Sequence, residues 1–250
     1  MTNADIKYVR SLREKKFRDE YNEFVLEGEK MVGEAVNSSF TVKSIYRTED
    51  IGETSMQKMT QLSSPSPVLA VVQKPRDLNI EDGDLESVDS IIKDGGLFLA
   101  LDTIRDPGNL GTILRLCDWF GIDAVFASHD TVDIFNPKVV QSTMGAIFRV
   151  KFHYADIPTV CSRVLNAEGK VYGTFLDGED MYLKSLKAEG CKPSLIIIGN
   201  ESNGISDEVG KLVSDRLFIP PYPLDERGSE SLNAAMATAI TLAEFRRQGR

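Results

Sequence analysis

The stretch LFLALDTIRDPGNLGTILRLCDWF, residues 97–120, sets the reading of the whole chain. Its first five residues are an unbroken apolar run, the pattern of a strand buried on both faces. Asp106-Pro107-Gly108 then forces a turn, Asn109 is placed to cap a helix, and residues 112–120 carry a helical apolar period. Strand, tight turn and helix in that order are the unit of a parallel α/β sheet.

The same alternation continues to the C-terminus. Residues 124–127, 171–176, 195–199 and 216–220 read as further buried strands. Residues 137–144, 159–167 and 232–247 read as the helices between and after them. Upstream the pattern is different: a basic helix, a strand at 24–28, a helix beginning near Glu29, and strands at 42–46 and 68–72. Ser-Ser-Pro-Ser-Pro at 63–67 is a turn cluster that cannot sit inside a central ladder. Between the two patterns, residues 75–94 are polar and acidic and lack apolar periodicity. The expected organisation is therefore a small N-terminal α/β domain over 1–90 and a larger α/β domain with a mostly parallel sheet over 95–250.

Composition narrows the class further. A hydrophobic fraction of 42% is that of a globular protein, and no apolar run approaches the roughly 18 residues of a membrane span. The N-terminus lacks the pattern of a secretory signal, and Cys117, Cys161 and Cys191 form neither a CxxC pair nor a disulfide framework, so a cytoplasmic location is expected. His129 and His153 have no ligand-spaced partner, so no metal is expected. Trp119 reads as a packing residue. The net charge of −9 hides a polarised distribution. Lys7, Arg10, Arg13, Lys15, Lys16 and Arg18 face one acid, Glu14, whereas residues 77–94 hold seven acids and one lysine. The basic stretch is the candidate contact for a polyanion, although a charge run is also what a solvated helix face looks like.

The phosphate-cradling fingerprints GxxxxGK[ST] and GxGxxG are missing, which disfavours an ordinary nucleotide-binding Rossmann domain. Three other segments, 102–115, 199–204 and 219–233, carry the polar residues. In the first, Arg115 follows Asn109 by six positions; alone it is also a capped helix with a solvated arginine. The second, Gly199-Asn200-Glu201-Ser202-Asn203-Gly204, puts a carboxylate and two carboxamides at a strand's C-terminal end, where open α/β sheets bind ligands. In the third, prolines at 220, 221 and 223 stiffen the strand exit, and a capping-type serine opens the last helix at Ser231-Leu232-Asn233. Its alanine-rich start, 234–239, permits close approach by another backbone.

Together the three segments resemble the signature motifs of the SpoU (TrmH-like) RNA ribose 2′-O-methyltransferases of the SPOUT superfamily. Asp106, Pro107, Asn109, Gly111 and Arg115 match the first motif; Gly199, Asn200, Glu201 and Gly204 the second; Ile219, Pro220, Ser231, Leu232 and Asn233 the third. The stretch STMGAIFRV at 142–150 also looks like a family segment. Residues 1–90 are similar to the ribosomal-protein-like RNA-binding domain often fused ahead of it, with FVLEGEKMVGEAV as the best match. The sequence departs in a longer, proline-rich 219–231 loop and in Ala234-Ala235 after Ser-Leu-Asn.

The resemblance implies a C-terminal deep trefoil knot, an S-adenosyl-L-methionine cofactor, a homodimer, and ribosomal RNA, ahead of transfer RNA, as substrate. It implies that Asn109, Arg115, Glu201, Ser231 and Asn233 are catalytic. Thr174, Leu176, Gly199, Asn200, Ile219 and Leu232 are implied to bind the cofactor. Arginine is a poor base in water, so Arg115 is expected to clamp a phosphate or oxyanion and to take a proton only in the bound complex. The alternative is a non-catalytic RNA-binding or ribosome-assembly protein that keeps the fold.

Overall fold

The computed structural model describes residues 2–186, 190–223 and 231–249. In chain order the elements are α1 (Asn3–Ser11), α2 (Lys15–Tyr21), β1 (Glu23–Glu27), α3 (Glu29–Val36), β2 (Val42–Arg47), α4 (Thr48–Ile51), α5 (Glu53–Met59) and β3 (Val68–Gln73). They continue with α6 (Leu85–Ile92), β4 (Gly96–Leu101), α7 (Pro107–Phe120), β5 (Ala124–Ala127), α8 (Pro137–Thr143), β6 (Phe152–Tyr154) and α9 (Ile157–Asn166). β7 (Lys170–Asp180), β8 (Pro193–Ile198), α10 (Asp207–Gly210), β9 (Asp215–Phe218) and α11 (Ala234–Gln248) complete the chain. Two compact units result: residues 1–76 with 133–149, and residues 77–132 with 150–250.

The first unit is built on a three-stranded antiparallel sheet in the order β1-β3-β2. Strand alternation sorts its side chains into two faces. Val25, Leu69 and Val71 pack with Val9, Leu12, Met56 and Met59 from α1 and α5. Phe24, one residue out of phase with Val25, meets Phe40 at 6.3 Å and Phe135 at 4.6 Å between ring centroids. Phe40 in turn meets Phe148 edge-on at 5.1 Å. Residues 133–149, which the sequence pattern runs into the C-terminal domain, therefore complete the core of the first unit, with α8 against β1.

This arrangement corrects one expected RNA contact. The expected basic helix is two helices, and Arg18 points from the second into the interior with its side chain only 3% exposed. Its Nε and Nη2 donate to Asp133 at 3.1 and 2.7 Å, and Nη1 donates to the carbonyls of Leu12 and Arg13. A guanidinium so used is structural. Arg18→Ala is expected to destabilise the protein by about 3–5 kcal/mol, because it strands a partly buried carboxylate and two carbonyls. Urea denaturation measures this, and a loss below about 1 kcal/mol would show that the ion pair does not hold the segment.

The second unit is a six-stranded sheet in the order β6-β5-β4-β8-β7-β9, with every pairing parallel. One face packs Phe98, Ala100, Phe126, Leu195 and Ile197 against Val88 and Ile92 of α6 and Val160, Cys161 and Val164 of α9. On the other, α11 lies along α7 and reaches β7, where Phe245 meets Tyr172 edge-on at 4.9 Å. Buried Ala234 and Ala235 give the close approach that small residues allow. Arg246 ties the pair further, its Nε donating to the Phe120 carbonyl at the end of α7 at 2.6 Å.

Sequence periodicity missed α4, α5, α6, β6 and α10, of which α6 and β6 belong to the frame of the larger unit. Residues 85–92 form α6, whose Asp84 cap accepts from the Ser87 amide at 3.1 Å; its two buried positions, Val88 and Ile92, are too few to stand out in an acidic stretch. β6 is a three-residue edge strand, too short to show a period.

Candidate active site

In the sheet order, β5 and β6 lie on one side of β4, and β8, β7 and β9 on the other. The order reverses between β4 and β8, so the loops leaving those two strands part and open a crevice at their C-terminal ends. The 102–115 segment leaves β4 and the 199–204 segment leaves β8. Two of the three segments that carry the sequence signature thus meet at the switch point.

Local capping decides which side chains face that crevice. Asp106, not Asn109, caps α7: its carboxylate accepts from the Asn109 amide at 2.7 Å, and Pro107 fills the first helical position, where no N–H is needed. The helix therefore starts earlier than expected, and the Asn109 side chain is released from capping. Its Nδ2 donates to Glu201 Oε1, and its Oδ1 accepts from Asn233 Nδ2 at 2.9 Å. Asn233 also caps α11, its Oδ1 accepting from the Ala235 and Met236 amides at 3.0 and 3.3 Å. The expected serine cap is thereby corrected to Asn233. The carboxamides of the first and third segments and the Glu201 carboxylate of the second form a continuous chain, Asn233 to Asn109 to Glu201.

Arg115 and Ser231 are not joined to that chain. Arg115 is exposed on α7, about 9 Å along the axis from Asn109, and no ion pair to a described residue holds it. Ser231 is exposed beside the α11 cap. Residues 224–230, which carry most of the long loop, lie outside the described residues.

A second network supports the first. Gly199 is held so tightly that an added Cβ would lie 2.3 Å from the Gly204 carbonyl carbon. Asn200 and Gly204 exchange backbone hydrogen bonds at 2.9 and 2.8 Å, which closes the turn on Glu201. The Asn200 side chain spans the crevice: Oδ1 accepts from the Ser202 amide at 2.8 Å and Nδ2 donates to the Thr103 carbonyl at 2.9 Å. Thr103 is left-handed at φ 62°, an unusual state for a β-branched residue. Its amide donates to Ser128 Oγ at 2.9 Å, and the buried Asp102 carboxylate accepts from the Ser206 amide at 2.7 Å. Ser128 and Ser206 escaped the sequence reading, and Asp102 and Thr103 stood inside the first segment without a role, because each is an ordinary loop residue until three strands converge. The side chain and backbone amide of Asn200, expected to bind cofactor, both have partners within the protein.

The remaining cofactor candidates sit on the next two strand exits. On β7, Leu217 of β9 lies opposite both Thr174 and Glu179, so residues 175–178 loop out of the ladder. Thr174 stands at the start of that excursion and Leu176, 58% exposed, on it. Arg216 steadies the excursion, its guanidinium 3.5 Å from the Phe175 ring centroid and 2.6 Å from Asp177. Ile219 is half-buried at the exit of β9, and Leu232 is 47% exposed before α11. Backbone edges, small residues and exposed apolar side chains on three adjacent strand exits suit a flat heterocycle with a polar tail. Among the described residues no group of three metal-ligating side chains occurs.

Of the basic residues, Lys7, Arg10, Arg13, Lys15 and Lys16 are exposed, with Lys15 paired to Asp19 at 2.5 Å. Trp119, expected to pack, is instead 83% exposed. It lies one turn beyond Arg115, on the exposed face of α7.

A parallel sheet with a carboxamide–carboxylate chain at its switch point defines an α/β protein with a candidate ligand crevice at the C-terminal edge of its strands. The chain belongs to the SpoU rRNA Methylase family, whose model matches residues 96–243, and residues 3–74 match the MRM3-like substrate binding domain. It is 30% identical, over 98% of its length and 96% of the relative's, to the 23S rRNA (guanosine(2553)-2′-O)-methyltransferase RlmP of Bacillus subtilis. It is 25% identical to the human mitochondrial rRNA methyltransferase 3, covering 95% of this chain and 70% of that one. Among solved structures, the AdoMet-bound rRNA methyltransferase of Sinorhizobium meliloti superposes with a TM-score of 0.83 at 29% identity, covering 99% and 95% of the two chains.

Proposed function

We propose that this chain transfers a methyl group from S-adenosyl-L-methionine to a ribose 2′-hydroxyl of ribosomal RNA. The observation that carries the reading is the Asn233–Asn109–Glu201 chain at the switch point, which joins one polar residue from each signature segment. The cofactor, when bound, supplies an electrophilic sulfonium methyl. Thr174, Leu176, Gly199, Ile219 and Leu232 are the residues assigned to hold it.

The rest of the chemistry belongs to the protein. A 2′-oxygen must be aimed in line at the methyl and must lose its proton. Glu201 fixes the Asn109 amide, which leaves one N–H of that amide to orient the hydroxyl. Ser231 and Asn233 flank the same point. Arg115 clamps the adjacent phosphate or the developing oxyanion and takes the proton only in the bound complex.

Lys7, Arg10, Arg13, Lys15 and Lys16 form the RNA contact of the first unit, with Arg18 excluded by its burial. The reading also includes a C-terminal deep trefoil knot, cytoplasmic action and a homodimer. For the last, the support is two large apolar side chains left exposed on α7 and α11, Trp119 at 83% and Met236 at 52% exposure. Trp119→Glu is expected to convert a dimer to a monomer in sedimentation; a monomeric parent at micromolar concentration refutes this part.

Incorporation of tritium from labelled cofactor into ribosomal RNA tests the whole reading, with Arg115→Ala as control. No incorporation by the parent into any ribosomal RNA would favour the non-catalytic alternative. Replacing Arg10, Arg13 and Lys16 together with alanine is expected to lower the log–log salt slope of RNA binding by about 2–3, at roughly 0.7–0.9 per phosphate contact. An unchanged slope removes the basic stretch from the interface.

A further inference from the structure

Asn200 reaches both halves of the crevice with one side chain. Through Oδ1 it holds the turn that carries Glu201, accepting from the Ser202 amide at 2.8 Å and the Asn203 amide at 3.3 Å. Through Nδ2 it holds the segment that carries Asn109, donating to the Thr103 carbonyl at 2.9 Å. Thr103 would not keep a left-handed backbone unaided. It is gripped at its amide by Ser128 Oγ, at its carbonyl by Asn200, and at its hydroxyl by Asp102 Oδ1 at 3.2 Å. Asp102 is in turn locked to the Ser206 amide at the far end of the second segment. The loop beyond is pinned as well, since the Ile104 carbonyl accepts from the Val132 amide at 2.9 Å and Asp106 caps α7.

We infer that Asn200 is a positioning residue for methyl transfer, which sets Glu201 against Asn109 through the strained Thr103, and not a cofactor ligand. The inference rests on the site reading above and extends it to a residue that touches none of the reacting atoms. A hydrogen bond between two loops matters to rate when it fixes the distance between two groups that must act together. Misplacement by about 1 Å can cost on the order of 100-fold.

Asn200→Asp separates positioning from folding. The carboxylate is isosteric, still accepts from the Ser202 and Asn203 amides, and loses only the donor to Thr103. At neutral pH its kcat is expected to fall on the order of 100-fold, with the cofactor KM within about twofold of the parent. The Thr103 carbonyl it faces favours the protonated acid, whose O–H can donate as the amide did, while the Ser202 and Asn203 amides favour the carboxylate, so the donor returns only as the pH is lowered. The ratio of variant to parent kcat should therefore rise as pH falls from 8 to 5. Asn200→Ala, which cannot donate, should show a loss independent of pH.

A ratio that is unchanged at neutral pH, or flat with pH in the aspartate variant, overturns the inference. So does a cofactor KM that rises while kcat holds, which would return Asn200 to the cofactor. Loss of a cooperative thermal transition in Asn200→Asp overturns it too, since the residue would then serve the fold. Asn109→Ala run alongside keeps the two readings apart: its inactivity beside a fully active Asn200→Asp refutes this inference alone, whereas activity in both refutes the site.

Discussion

Asn109→Ala is expected to lower kcat for RNA methylation by about 10³-fold or more, and Arg115→Ala to do the same, with the cofactor Kd within about threefold of the parent in each. The two losses have different causes. Removing the Asn109 carboxamide leaves Glu201 without its donor and Asn233 without its acceptor, so all three segments lose their common joint. Asn109→Asp should be no better, because it keeps the acceptor for Asn233 and sets a second carboxylate against Glu201. Removing Arg115 leaves those bonds intact and takes away the exposed cation that meets the phosphate or oxyanion. Single-turnover methyl transfer with saturating cofactor, beside cofactor titration by calorimetry, separates chemistry from binding. Retained turnover in either alanine variant would sink the catalytic assignment of that residue.

Deletion of residues 1–76 is expected to abolish RNA methylation and also to leave an aggregating fragment. Residues 133–149 belong to the core of the unit that would be removed. Phe135, Val139, Val140 and Phe148 are at most 9% exposed, and Phe135 and Phe148 contact Phe24 and Phe40 of the deleted part. At about 1.5–3 kcal/mol for each buried side chain, roughly 6–12 kcal/mol of burial is lost, comparable to the whole stability of an ordinary domain. Asp133 would also lose Arg18. Dye binding to exposed apolar surface and sedimentation of the 77–250 fragment measure the outcome. A monodisperse fragment with the parent's kcat/KM on RNA contradicts both halves of this expectation.

The contrast between Arg18 and its neighbours shows where the sequence stops. A run of six cations is legible as charge, but burial is a property of the partner, and Asp133 lies 115 positions away. Trp119 is the mirror case: aromatic content suggests packing, yet its place on the outer stripe of α7 leaves it exposed. Local chemistry misled at both helix starts, where several capping residues compete. Asp106 took the cap that Asn109 was expected to hold, and Asn233 the one expected of a serine. Both outcomes improved the site, because they decided which carboxamides remained to meet across the crevice.

The sequence by itself determined the parallel α/β class, most strand positions, and the three segments that carry the polar residues, because apolar runs, turns and motif spacing are local properties of the chain. Only the tertiary structure decided that those segments meet at the reversal between β4 and β8 and that 133–149 packs with the first unit. It alone showed that Asp102, Thr103, Ser128 and Ser206 brace the site. Hydrogen bonds and core contacts between residues about 100 positions apart depend on which strands become neighbours, and strand order is set by the burial of the whole sheet rather than by any segment of it.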